Sequence, residues 1–163
     1  MIDIERVKSQ LDYDPQTGIF IWRDGPRQRS KTNIAGAINV RHGYRYICIY
    51  RKPILAHRLA WAMTTGEWPE NDIDHIDRNR DNNAFANLRE ATRSQNLGNS
   101  GLKTTNTSGF KGVCFFKPKG LWRARITFNY REIHIGYFAS PEAANKAYEA
   151  KAKELFGEFA IAS

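Results

Sequence analysis

The chain has 163 residues, is 41% hydrophobic and 26% charged, and carries a net charge of +8, with a pI of about 9.7. This composition excludes a disordered chain and suits one medium core or two small ones. No apolar run approaches membrane-spanning length, the start MIDIERVKSQL lacks a signal-peptide core, and Cys48 and Cys114 have no CxxC spacing, so a membrane protein, a structural zinc site and a disulfide scaffold are set aside. The thiols are expected to be reduced and buried in a cytoplasmic protein. The positive excess points to a polyanion, most often nucleic acid. It is uneven: residues 1–50 carry 8 Lys/Arg against 5 Asp/Glu, residues 51–99 carry 7 against 7, and residues 100–163 carry 10 against 5.

In chain order, Ile4, Val7 and Leu11 predict a short helix over 1–12. Asp14 to Gly18 reads as a turn and Ile19 to Trp22 as a strand. A basic stretch follows, then two apparent paired strands, 35–40 and 44–50, joined at His42-Gly43. Leu55 to Thr65 predicts a helix closed by Gly66. His57 on that helix reads first as a structural histidine, and His42 as a solvated one. Residues 97–109, LGNSGLKTTNTSG, have linker composition. The expected organisation is therefore a first domain over 1–98, a linker over 99–108 and a second domain over 109–163. In the second, 112–117, 121–129 and 131–138 read as three antiparallel strands. Ser140-Pro141-Glu142 starts a helix that Gly157 stops.

The most informative string is Asp72-Ile73-Asp74-His75-Ile76-Asp77, continuing through Asn82-Asn83 to Asn87-Leu88-Arg89 and Thr92-x-x-Gln95-Asn96. An acidic–His pair precedes a polar loop, and a short helix is expected from about Asn87, with Leu88 and Ala91 inward. Phosphodiester hydrolysis requires a base for water, which a neutral His supplies at pH 7. It also requires a counter-charge for the phosphate and the leaving oxygen, which a hard cation on oxygen ligands supplies. Singly, each residue has a plain structural explanation; their spacing as a set is the informative feature.

The string resembles the HNH endonuclease family, in the branch of phage and intron-encoded homing nucleases. His57-Arg58-Leu59-Ala60 matches that branch too, and the resemblance spans roughly 50–99. It implies a β-hairpin and helix clasping one metal ion. His75 is then the general base, Asp74 and Asn96 the metal ligands, and Asn87 the brace of the loop that carries the histidine. Asn96 stands where other branches have His; an amide ligand suggests Mg²⁺ or Mn²⁺ over Zn²⁺.

The C-terminal segment resembles the APETALA-type (ethylene-response-factor-like) DNA-binding domain in Gly109-Phe110-Lys111-Gly112-Val113, Trp122-Arg123-Ala124-Arg125-Ile126, Ile135-Gly136-Tyr137-Phe138 and Pro141-Glu142-Ala143-Ala144. The family's contact positions fall on Cys114, Phe116, Arg125, Thr127, Glu132 and His134. Alternation along the middle strand puts Trp122, Ala124, Ile126 and Phe128 inward and Arg123, Arg125, Thr127 and Asn129 outward. With Lys117, Lys119 and Arg131, the outward set is the expected DNA surface. Arg27, Arg29, Lys31, Arg41 and Arg45 either line DNA or belong to a structural sheet.

The expected fold class is α+β: a ββα-metal nuclease domain followed by a three-stranded antiparallel sheet packed on one helix. The expected activity is metal-dependent hydrolysis of double-stranded DNA, with one divalent ion per site, no small-molecule cofactor and a monomeric chain. The rivals are a non-catalytic DNA-binding regulator on a relic nuclease fold and an RNA-directed nuclease.

Overall fold

The computed structural model of the chain describes residues 2–25, 32–102 and 104–160. It falls into two units, 1–90 and 91–163. Among the described residues, no helix is long and apolar enough to cross a membrane.

The first unit begins with α1 (Ile4–Lys8), capped by the Asp3 carboxylate, which accepts from the Glu5 N–H. The helix stops well short of residue 12. Leu11 opens β1 (Leu11–Asp14), which pairs antiparallel with β2 (Ile19–Trp22), Leu11 opposite Trp22 and Asp14 opposite Ile19. Helical spacing and strand alternation both put Val7 and Leu11 inside, and ladder hydrogen bonds to β2 decide between them, because a one-turn helix has little stability of its own.

A three-stranded antiparallel sheet follows, in the order β3 (Ala37–Ile38), β4 (Arg45–Ile49), β5 (Lys52–Leu55). The sequence reading lacked β5, which turns back through Tyr50 and Arg51, both at positive φ. Pro53 is tolerated there because β5 is an edge strand and needs no donor on its open side. α2 (Ala56–Thr65) ends at Gly66, which takes the left-handed conformation and returns its N–H to Ala62 O. Val7, Leu11, Phe20, Ile47, Ile49 and Leu59 are fully buried and form one core with Ile73 and Leu88, each large side chain contributing about 1.5–3 kcal/mol. β6 (Asp72–His75) and β7 (Leu88–Ala91) form a separate two-stranded sheet.

Residues 88–91 were expected in a helix and are a strand. The helix is α3 (Arg93–Gly98), opened by a capping box in which Thr92 accepts from the Gln95 N–H and the Gln95 side chain accepts from the Thr92 N–H. The signal was present as Thr-x-x-Gln; Asn87 marks the end of a 3-10 turn, Phe85–Asn87.

The second unit holds α3 and a sheet ordered β10 (Arg131–Phe138), β9 (Leu121–Phe128), β8 (Val113–Phe116), packed on α4 (Pro141–Phe156). The Ser140 hydroxyl accepts from the Ala143 N–H, and Gly157 ends the helix. The expected break at 98 falls at the end of α3, whereas the structure divides the chain at 90. The Gly/Ser/Thr-rich stretch is tied within this unit. Lys111 Nζ donates to the carbonyls of Leu97, Gly98 and Ser100 at 3.0, 2.6 and 2.6 Å, a cation on the carbonyl end of α3. Cys48 is exposed and Cys114 half-buried, both free, so neither is the buried thiol expected. Each sits on a strand face that the core does not cover.

Candidate active site

β6 carries Asp74 and His75 into the first unit's interior: Ile73, Asp74 and His75 are all buried. A buried carboxylate requires a partner. Arg89 on β7 supplies one, its Nε 3.0 Å from Asp74 Oδ2. The sequence shows both residues but not their pairing, which depends on how β6 and β7 lie together.

After His75 the chain enters a polar loop organised around Asp77. Its Oδ1 accepts from the Asn79 N–H (2.8 Å) and Asn87 Nδ2 (2.9 Å), and its Oδ2 from Asn82 Nδ2 (2.7 Å). Burial alone would raise the Asp77 carboxyl; the Asn82 and Asn87 amides and the Asn79 N–H outweigh it and bring it below the ordinary value. Asn87 also accepts from the Asp77 N–H (3.0 Å) and donates to Asn82 O (2.9 Å), while its backbone carbonyl takes the Ile76 N–H. One amide thus spans both ends of the loop. Asp81 forms a two-pronged pair with Arg45, at 2.8 and 3.0 Å.

Polar and aromatic groups surround His75. Its Nε2 lies 3.3 Å from Asn83 Oδ1. The His57 ring stands nearly perpendicular to it, centroids 5.0 Å apart, and Tyr44 lies 5.1 Å from His57 and 6.0 Å from His75. The Arg80 guanidinium covers Tyr44 at 4.8 Å and donates to His42 O. Burial is the chief cause that brings the His75 pKa below its ordinary value, with Arg80 adding to it; the Asn83 bond, Asp77 and Asp74 oppose it. His75 is therefore neutral at pH 7, as a general base must be. Burial, then His75 and Arg58, bring the His57 pKa down to about 3 against a smaller contribution from Asp72.

The structure thus brings Asp74, His75 and Asn87 together in the first unit. Asn96 lies on α3, in the second. Sequence reasoning passed over Asn83, quoted only as part of an Asn doublet, and read His57 as structural; it is buried as expected, but against the His75 ring. Arg45 is engaged by Asp81, which favours the structural reading of that residue. Arg27, Arg29 and Lys31 lie outside the described residues, and Arg41 is exposed.

In the second unit the predicted alternation along β9 is observed: Ala124 and Ile126 are buried while Arg125 and Thr127 are exposed. Registers Cys114↔Arg123, Arg125↔His134 and Thr127↔Glu132 place the candidate contact residues on one face. A bulge between His134 and Gly136 brings Tyr137 opposite Arg123 onto that face. The face is interlocked. Arg125 pairs with Glu132 at 2.6 Å, Lys119 Nζ sits 4.0 Å over the Tyr137 ring, the His134 and Tyr137 rings meet at a 53° tilt with centroids 4.7 Å apart, and Arg123 covers Phe116. Lys117 and Arg131 are exposed.

The profile of the HNH endonuclease family matches residues 55–97. Protein 3.8 of Escherichia phage T7 is 33% identical over 116 residues, which is 71% of this chain and 94% of the phage protein. The uncharacterized HNH endonuclease L560 of Acanthamoeba polyphaga mimivirus is 38% identical over 106 residues, 64% of this chain and 54% of the viral protein, so the match spans about half of that relative. A solved structure of the HNH homing endonuclease I-HmuI, concerned with its DNA binding and cleavage, aligns at 26% identity and a TM-score of 0.45, covering 60% of this chain and 55% of that one. The chain belongs to the HNH endonuclease family and is a nuclease.

Proposed function

We propose that the chain cuts double-stranded DNA by metal-dependent hydrolysis, with His75 as general base, Asp74 and Asn96 as metal ligands, Asn87 as the brace of the histidine loop, and residues 109–163 as a DNA-binding domain separate from a nuclease portion over 1–98. The observation that carries the reading is a buried, neutral His75 beside the Asp74 carboxylate.

Among the described residues no three His, Cys, Asp or Glu side chains group to hold a metal. One carboxylate with an amide oxygen and water as the remaining donors suits a hard ion that keeps part of its hydration shell, Mg²⁺ or Mn²⁺. Asn96 enters on motif spacing. Once bound, such an ion supplies charge to the phosphate and to the leaving 3′ oxygen. His75 takes a proton from water through its unprotonated ring nitrogen. Arg89 orients Asp74 through the 3.0 Å ion pair. Asn87, through Asp77, keeps the loop after His75 closed. Arg123, Arg125, Thr127 and His134, with Lys117, Lys119 and Arg131, present the sheet face to the duplex, where phosphate contacts position it and base edges confer selectivity.

The deciding experiment is conversion of supercoiled plasmid with Mg²⁺ or Mn²⁺, against EDTA and against His75→Ala. Metal-dependent nicking that His75→Ala abolishes, with plasmid binding retained, is the expected result. A wild type that binds duplex DNA and cuts nothing with any metal would instead make the chain a DNA-binding regulator.

A further inference from the structure

Asn83 is 1% exposed, and every polar group of its side chain is committed. Nδ2 donates to Asp81 O at 2.9 Å, which fixes the sense of the amide, so that Oδ1 faces His75 Nε2 at 3.3 Å. An amide oxygen only accepts. A neutral imidazole has one N–H, so that hydrogen is on Nε2 and the basic lone pair is on Nδ1.

The N-terminal hairpin grips Asn83 from behind. Tyr13 Oη donates to Asn83 O at 2.8 Å, and the Phe85 N–H donates to Pro15 O at 2.8 Å. Tyr13 is itself set by stacking on Phe20, centroids 4.6 Å apart. Gly18, at φ +74°, packs so closely that a Cβ there would lie 2.3 Å from both Asn83 C and Ala84 N. These contacts come from one hairpin, β1 to β2, and fall on three consecutive residues, Asn83, Ala84 and Phe85, at the end of the histidine loop.

We infer that Asn83 is a positioning residue for His75, fixing which ring nitrogen can accept a proton, and that the β1–β2 hairpin holds Asn83 in the register this requires. The inference rests on His75 acting as base, and it gives the segment before residue 50 a part in the reaction.

The test uses the full chain: wild type, Asn83→Leu, Tyr13→Phe and Gly18→Ala. Two readouts are taken, steady-state plasmid nicking and ¹⁵N imidazole NMR at pH 8, with the His75 signal identified by its loss in His75→Ala. Wild type is expected to show His75 with hydrogen on Nε2 alone. In Asn83→Leu the two tautomers mix, and kcat falls at least ten-fold while KM stays within two-fold. Tyr13→Phe and Gly18→Ala move both readouts in the same direction by smaller amounts, about three-fold in kcat for Tyr13→Phe. A folded Asn83→Leu with wild-type kcat and an unmixed tautomer overturns the role of Asn83. If Asn83→Leu does not fold, Tyr13→Phe decides: unchanged kcat and tautomer overturn the inference. If the wild type nicks nothing, the nuclease reading fails by itself, and the tautomer readout still decides whether Asn83 sets the ring.

Discussion

Two buried histidines, ring against ring, illustrate how a side chain's role depends on its surroundings. His57 keeps a pKa near 3 against an ordinary 6.5, and its Nδ1 has no hydrogen-bond partner among the described residues. The folded state therefore favours the neutral ring, and between these two values the unfolded chain binds more protons. The stability this represents is fully present above about pH 6.5 and is lost as pH falls toward 3, by ~3 kcal/mol at pH 4. His57→Phe is expected to flatten that acid limb. Urea midpoints at pH 7 and pH 4, compared within each variant, cancel the packing cost of the new ring; an equally steep loss in the variant would assign the acid sensitivity elsewhere. Asn87 differs in kind, since it bonds to Asp77 from both ends of its amide. Asn87→Ala removes the acceptor of the Asp77 N–H and the donor to Asn82 O and Asp77 Oδ1 and should cost about 1 kcal/mol, read by thermal unfolding, with nicking lowered and plasmid affinity unchanged.

Local rules account for several elements, and each has a separable test. The helix that carries Asn96 depends on the Thr92–Gln95 box. Thr92→Ala should cost about 1 kcal/mol and weaken metal binding, measured as a rise in the Mg²⁺ concentration for half-maximal nicking; an unchanged metal requirement would detach Asn96 from the ligand set. At the β9–β10 turn, Asn129 and Tyr130 both adopt positive φ, at 48° and 64°. Asn suits that conformation and Tyr does not. Tyr130 is 83% exposed, so Tyr130→Gly removes the strain at little packing cost and should stabilise the unit by about 0.5–1 kcal/mol, visible as a higher Tm.

Charge is unevenly divided at the scale of the whole chain, since the segment with Asp74 and His75 is neutral and the C-terminal segment is basic. A phosphate-binding face loses affinity with salt in proportion to the phosphates it contacts. Lys117→Ala, Lys119→Ala and Arg131→Ala should each reduce the slope of log K against log salt by about 1 and weaken binding uniformly across sequences. A slope that none of the three changes would place the DNA surface off this sheet. The Arg125–Glu132 pair is solvent-exposed and weak, so a phosphate can displace Glu132 without a large cost.

Much of this was legible in the sequence because it is local. Strand alternation along 121–129, the Ser140-Pro141 start and the Gly66 and Gly157 stops all follow from residue type and spacing, since period, capping and turn chemistry act over a few residues. The helix expected at 88–91 was misread because Leu88 and Ala91, three apart, share a helical face, whereas in the strand that pairs with β6 they point to opposite sides and join different cores. The remainder required the tertiary structure. Tyr13 meets Asn83 across 70 positions, Arg45 meets Asp81 across 36, and His57 meets His75 through packing of α2 on the first core. Such contacts leave no periodic trace in a single chain, because they depend on where distant segments come together and not on which residues are neighbours in sequence.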